Sequence, residues 1–258
     1  MNIDKKYYQE INENLTNTIQ DTNISAPNKK VGKVRDAYFL NDKVVMISTD
    51  RQSAFDRVLA AIPYKGAVLN SVSAWWFKKT EHLFPNHLIS TPDPNVSIVE
   101  KCTVFPVEFV VRGYITGTTD TSLWTVYNNG DREYCGNSLP EGLKKNDKLD
   151  KPMLTPTTKD KVHDRPVSRE EIIDLGLMSA EDYDLAAKMS LDLFAFGQET
   201  AKKNGLILVD TKYEIGTDSK GKIKFVDEIH TPDSSRFWIS SSYKDRINSG
   251  QEPENIDK

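Results

Sequence analysis

The segment LILVDTKYEIG, residues 206–216, starts apolar and then carries Asp210, Lys212 and Glu214 at every second position. Side chains alternate faces along a strand, so two carboxylates and an ammonium share one face of an element that begins in the core. The turn TDSKGK then leads into IKFVDEIH, a returning strand that brings Asp227 near Glu214, opposite it or one diagonal step away. Two part-buried carboxylates repel unless a cation lies between them. Mg2+ commonly takes one or two carboxylates and completes its octahedron with water and phosphate oxygens. Lys212, on the same face, can neutralise a substrate phosphate or carboxylate. The plainer alternative is a solvated hairpin face with a surface salt bridge, worth under about 1 kcal/mol.

Four other segments carry groups of the same chemical kind. VGKVRDAY sets Lys33 and Arg35 on one strand face directly after Gly32, where backbone can approach a ligand closely and two cations suit a polyphosphate. It is neither the Walker loop nor the dinucleotide GxGxxG. STDRQSAFDR places Asp50, Ser53 and Asp56 where a strand leaves its sheet, as site walls or as turn caps. VVRGYITGT ends an apolar strand on Arg112 before a loop with Gly113, Thr116, Gly117 and Thr118, able to clamp a phosphate. TPDSSRFW projects Arg236 from a serine turn, with Ser235 beside it. His163-Asp164 reads as a loop pair, and no serine or cysteine nucleophile motif is present.

The elements that must position these groups follow from the pattern. KKVGKVRDAYFLNDKVVMISTDR reads as two extended stretches around an Asn41-Asp42 turn. LNSVSAWWFKKTEHLF reads as a helix capped by Asn70 or Ser71, and Pro106 is expected to split IVEKCTVFPVEFVVRG into two strands. Residues 128–165 read as a long polar loop. MSAEDYDLAAKMSLDLFAFGQETAKKNG is the clearest helix: Ser179 caps it, Leu185, Met189, Leu193 and Phe196 form its apolar stripe, and Lys202, Lys203 and Gly205 close it. The tail SSYKDRINSGQEPENIDK is polar, with no core of its own. Two α+β lobes are expected, 1–107 and 108–258.

Composition bounds the partners. The chain has 258 residues, 38% of them hydrophobic, and a net charge of −4, which disfavours nucleic acid as the main partner. Cys102 and Cys135 are far apart and form no CxxC pair, which reads as two reduced thiols. Four scattered histidines argue against zinc. No stretch approaches a membrane span and the first residues carry no apolar leader, so a soluble, cytoplasmic protein without membrane partners is expected. Monomer and dimer are both left open.

Taken in order, GKVRDAY, STDRQSAFD, PVEFVVRGYITGT, LPEGL, KPMLTPTTK, LILVDTKYEIG and VDEIHTPDSSRFW resemble the phosphoribosylaminoimidazole-succinocarboxamide synthase (SAICAR synthase) family across roughly residues 28 to 243. KPMLTPTTK and the following HD are similar to its longer, eukaryote-like branch. The resemblance implies a two-lobed fold with ATP between the lobes. It also implies an ATP-dependent ligase of purine biosynthesis, joining the carboxylate of carboxyaminoimidazole ribonucleotide (CAIR) to the amine of L-aspartate. Gly32, Lys33, Val34 and Arg35 match the phosphate-covering hairpin, with Glu108 among the ATP contacts. Glu214 and Asp227 match the acidic magnesium positions, with Lys212 between them. Arg112, Thr118 and Arg236 match positions that hold the ribonucleotide, and Ser53, Asp56 and Ser235 are assigned to the substrates with them. Thr118 replaces a serine of the shorter branch and keeps its hydroxyl. Lys151 replaces that branch's aspartate, so no role is carried to it. The family normally continues through a further helical segment beyond EPENIDK, so a shortened or atypical terminus is expected.

Such a ligase needs no protein nucleophile. A carboxylate is a poor electrophile, and phosphorylating it creates an acyl phosphate that an amine can attack. That transfer is served by Mg2+, lysine and arginine. Two rivals share the charges: a small-molecule, inositol-type kinase, and a nucleotide-binding module without turnover.

Overall fold

The computed structural model describes residues 5–54, 57–159 and 165–256. The chain forms two compact units, the first comprising Met1–Lys78 and His87–Lys101, the second Lys79–Asn86 and Cys102–Lys258.

In the first unit, α1 (Lys5–Glu13) precedes β1 (Lys29–Val31), β2 (Arg35–Phe39), β3 (Lys43–Ser48), β4 (Arg51–Ala54), β5 (Arg57–Ala61), α2 (Lys65–Thr80), β6 (Leu88–Asp93) and β7 (Val96–Glu100). Five strands form one antiparallel sheet in the order β1-β2-β3-β7-β6, and β4 pairs with β5. The β2–β3 hairpin turns at Leu40–Asp42, with Phe39 opposite Val44. Lys33 and Arg35 do not share a strand face. Gly32, Lys33 and Val34 form the tight β1–β2 connection, and only Arg35 lies in a strand. The Gly32 amide donates to the Arg35 carbonyl at 2.8 Å, and a Cβ on Gly32 would sit 2.7 Å from that oxygen. Arg51 braces the turn: it donates to the Gly32 and Lys33 carbonyls at 2.9 and 3.0 Å and pairs with buried Asp36 at 2.7 Å.

α2 begins five residues before the expected cap. Asn70 lies inside the helix, where its side chain donates to the Pro94 carbonyl and accepts from Ser97. The first turn is capped from elsewhere in the chain. Asp50 Oδ1 accepts from the Gly66 amide at 2.9 Å while Oδ2 accepts from the Ile19 amide at 2.8 Å. A cap lying sixteen residues upstream leaves no local signature. Asp50→Ala should strand both donors and cost about 2–4 kcal/mol, adding a lost cap to an unsatisfied buried amide. Urea unfolding reports it as a lower midpoint; a wild-type midpoint would show that the carboxylate carries no such load.

The second unit contains β8 (Thr103–Tyr114), α3 (Leu123–Asn128), β9 (Glu133–Tyr134), β10 (Asn137–Ser138), β11 (Lys148–Leu154), β12 (Thr157–Thr158), α4 (Arg169–Asp174), α5 (Ala180–Lys203), β13 (Leu206–Thr217), β14 (Ile223–Val226), β15 (Ser235–Ile239) and α6 (Ser240–Asn248). β13 is its spine. β8 runs along one edge of β13, while the other edge is covered by β15 over the first half and β14 over the second. Pro106 does not split β8. It lies opposite the irregularity between Glu214 and Gly216, where a missing amide costs the ladder little.

α5 packs on β8 and β13, capped by Ser179, whose hydroxyl accepts from the Asp182 amide. Its buried side is Tyr183, Ala186, Met189, Ser190, Leu193, Phe194, Gly197 and Ala201; Leu185 is exposed, so the true stripe is rotated from the expected one. Within the expected 128–165 loop, the described residues 128–159 are not featureless. Tyr134, Leu139 and Leu149 join Ile115, Leu123 and Tyr127 in a buried cluster, scattered apolar positions that no regular period announces. The polar tail also docks: α6 is followed by backbone bonds from Ile239 to Glu254 and from Ile256 to Phe237.

Candidate active site on the second sheet

On β13, Tyr213 and Ile215 are fully buried, so Lys212 and Glu214 occupy the opposite face, with Asp210 in phase. Glu214 lies across from Val226, which puts Asp227 one step beyond direct opposition. Asp227 adopts the left-handed conformation, φ 62°, as the chain leaves β14. Burial raises the Glu214 pKa, and the Asp227 carboxylate raises it further; Lys159 and then Lys212 oppose the shift. Two carboxylates that disfavour each other's charge fit a cation between them, the donor set that Mg2+ takes from protein.

Lys212 donates to Glu108 Oε1 at 2.8 Å, and Glu108 faces Glu214 across the β8–β13 ladder. Burial alone would lower the Lys212 pKa, but the charges of Glu108, Glu214 and Asp227 outweigh it and the ammonium is held more firmly protonated. Lys159, after β12, pairs with Glu214. Sequence reasoning assigned Lys159 no role, although it ends the TPTTK segment.

A second cluster occupies the first half of β13. Asp210 lies across from Arg112 on one side and Arg236 on the other. Each guanidinium approaches Asp210 Oδ2 at 3.6 Å, too far for a hydrogen bond, so the carboxylate balances charge without consuming their donors. Arg112 is fixed by donating from Nε to Thr155 Oγ1 at 2.9 Å. Among the described residues, no hydrogen bond engages the Arg236 guanidinium. Two guanidiniums with donors left over have the chemistry to engage an oxyanion.

The remaining expected positions fall as follows. Thr118 is exposed in the loop after Gly117, whose φ of 109° and 2.4 Å approach to Ser122 Cβ admit no side chain. Ser235 is buried and bonded to Thr211 Oγ1 at 2.7 Å, which ties β15 to β13. Ser53 is on β4 in the first unit, as are Gly32, Lys33, Val34 and Arg35 in and beside the β1–β2 turn. Asp56, His163 and Asp164 lie outside the described residues. Cys102 and Cys135 are not disulfide-bonded, and burial pushes the Cys135 pKa up to about 11, which keeps it unreactive. No helix among the described residues is long and apolar enough to cross a membrane.

The central strand of this α+β chain bears a carboxylate–ammonium group on one half and an arginine-flanked carboxylate on the other, charges suited to an enzyme of phosphorylated, anionic substrates. The chain belongs to the SAICAR synthetase family, which it matches over residues 28–258. It is therefore a ligase of purine biosynthesis, and the family favours that reading over the kinase. It is 58% identical over 240 residues to a phosphoribosylaminoimidazole-succinocarboxamide synthase of Legionella pneumophila, covering 93% of this chain and 77% of that one. A Saccharomyces cerevisiae SAICAR synthase complexed with SAICAR is similar in structure, with TM-score 0.76, 33% identity, and 87% and 81% of the two chains covered. So is a type-2 SAICAR synthetase in complex with ADP, with TM-score 0.71, 26% identity, and 87% and 92% covered.

Proposed function

We propose that the chain uses ATP to join the carboxylate of CAIR to the amine of L-aspartate, giving SAICAR, ADP and phosphate. The observation that carries this is the division of β13 into two charge clusters. Arg112 and Arg236, balanced by Asp210, have the chemistry to hold the ribonucleotide's anionic groups, with Thr118 and Ser235 assigned as supporting hydroxyls. Glu214 and Asp227 would hold Mg2+, which, when bound, screens charge on the phosphate oxygens. Lys212, kept protonated by Glu108, offers a fixed cation to the phosphoryl group in transfer. The CAIR carboxylate oxygen attacks the γ-phosphorus and ADP leaves. The free aspartate amine then attacks the acyl carbon, and phosphate departs with the transferred oxygen. Gly32, Lys33, Val34 and Arg35 are assigned to the ATP phosphates and Glu108 to the nucleotide side, while Ser53 and Asp56 are assigned to substrate. Two reduced cysteines suit a reducing compartment, and we place the chain in the cytoplasm.

The test is an ADP-release assay with ATP, Mg2+, L-aspartate and CAIR, omitting each in turn. ADP should require CAIR and aspartate together, or CAIR alone where the acyl phosphate leaks to water. Turnover on an alcohol substrate with none on CAIR would sink the ligase reading.

A further inference from the structure

Glu252 lies in the tail after α6, and its side chain reaches Lys145 and Asn146 in the turn before β11, a turn that touches the loop carrying Thr118. Its Oε1 accepts from Lys145 Nζ at 2.5 Å and its Oε2 accepts from Asn146 Nδ2 at 2.9 Å. Asn146 Oδ1 in turn accepts from Thr116 Oγ1 at 2.6 Å. Thr116 is buried, two residues before Thr118, and directly precedes Gly117, whose φ of 109° only glycine adopts readily.

The direction of this relay is dictated by chemistry. An amide side chain can turn either end toward a neighbour, whereas an ionised carboxylate only accepts. Glu252 therefore requires the Asn146 NH2 to face it, which turns Oδ1 toward Thr116 and makes that hydroxyl a donor. Burial alone would raise the Glu252 pKa, but the Lys145 and Asn146 hydrogen bonds, then the Lys145 and Arg236 charges, hold it below the usual range, so the acceptor state persists at neutral pH.

The frame around Asn146 is rigid. Its φ is 69°, its amide donates to the Ile115 carbonyl at 2.6 Å, and its own carbonyl accepts from Tyr243 of α6 at 2.7 Å. Arg246 Nε donates to the Glu252 carbonyl at 2.6 Å, fixing the tail from the other side. The Glu252 side chain is 64% exposed, so its ion pair with Lys145 is screened, and orientation rather than charge pairing is its contribution.

We infer that Glu252 is a positioning residue for the ribonucleotide: through Asn146 it sets the Thr116 hydroxyl and so the conformation of the Thr116–Thr118 loop. This rests on the assignment of Thr118 and Arg236 to the CAIR pocket.

The test is the split between the KM values for CAIR and ATP in a set of variants. Glu252→Ala should raise the CAIR KM about tenfold, the loss of one orienting hydrogen bond, with the ATP KM within about twofold of wild type. Glu252→Gln, which can still present an oxygen to Asn146, should fall between. Asn146→Asp sets two carboxylates against each other and should be at least as damaging as the alanine. The double variant Asn146→Asp/Glu252→Gln restores the relay with donor and acceptor exchanged, and should recover to within about threefold of wild type. Unchanged CAIR KM in Glu252→Ala would overturn the inference. So would equal losses for both substrates with no recovery in the double variant, the pattern of general loosening. Calorimetry of wild type with CAIR separates the underlying reading: no CAIR binding there would remove the pocket assignment and this inference with it.

Discussion

Glu214→Gln should lower turnover about a hundredfold and blunt the response to Mg2+, the scale seen when a charge-stabilising group is taken from a preorganised site. Glu214 is raised in pKa by burial and by Asp227, and opposed by Lys159 and Lys212, so it belongs to a balanced set of charges rather than a solvated face. The glutamine keeps the volume and one acceptor but removes the negative charge a divalent cation needs. Lys159 and Lys212 then face one carboxylate fewer, and the site repels Mg2+ more strongly. Asp227→Asn should act in the same direction, because either substitution leaves a single carboxylate of the pair. The effect is read from kcat against Mg2+ concentration, with CAIR saturating. An Asp227→Asn protein with unchanged rate and an unchanged Mg2+ titration would reduce the hairpin to surface charge.

Arg112→Ala and Arg236→Ala should each weaken CAIR binding about ten- to a hundredfold, the loss of a charge-assisted contact of roughly 1.5–3 kcal/mol, with ATP affinity changing far less. A ribonucleotide brings a phosphate and a carboxylate that cannot be desolvated without paired donors. The two guanidiniums flank Asp210 at 3.6 Å, near enough to be held by its charge and too far to hydrogen-bond it. The two variants differ in their side effects. Arg112 also donates to Thr155, so its loss should lower stability, whereas Arg236 has no such bond among the described residues and its loss should leave unfolding nearly unchanged. Arg236→Lys should retain little affinity if the contact uses both arms of the fork. CAIR calorimetry on the folded variants decides it; wild-type binding in both would remove them from the pocket.

How much of this could be read from the chain alone depended on whether the determinant was local. The α5 cap, the β13 alternation and the β13–β14 hairpin are each written in adjacent residues and were legible. The register that sets Glu214 against Val226 was not, because it depends on the turn at Asp218–Lys222, where Asp218 Oδ1 accepts from the Lys220 and Lys222 amides. The start of α2 was hidden because Asp50, not a neighbouring residue, caps it. Pro106 misled because a proline opposite a ladder irregularity does not end a strand. Lys33 reads as a strand residue beside Arg35 but lies in the β1–β2 turn, where the Gly32 amide bonds the Arg35 carbonyl. The charges of the site were all visible as residues. Lys159 and Glu252 lacked a function because their partners lie 55 and 106 residues away, as Glu214 and Asn146.

The central claim is that ATP activates the CAIR carboxylate before aspartate attacks. The most direct measurement uses CAIR whose carboxylate carries a heavy oxygen isotope, turned over with ATP and L-aspartate, followed by mass analysis of the released phosphate. The account predicts one heavy oxygen in each phosphate, carried across when the acyl phosphate is displaced. Phosphate without label, alongside SAICAR formation, would contradict it.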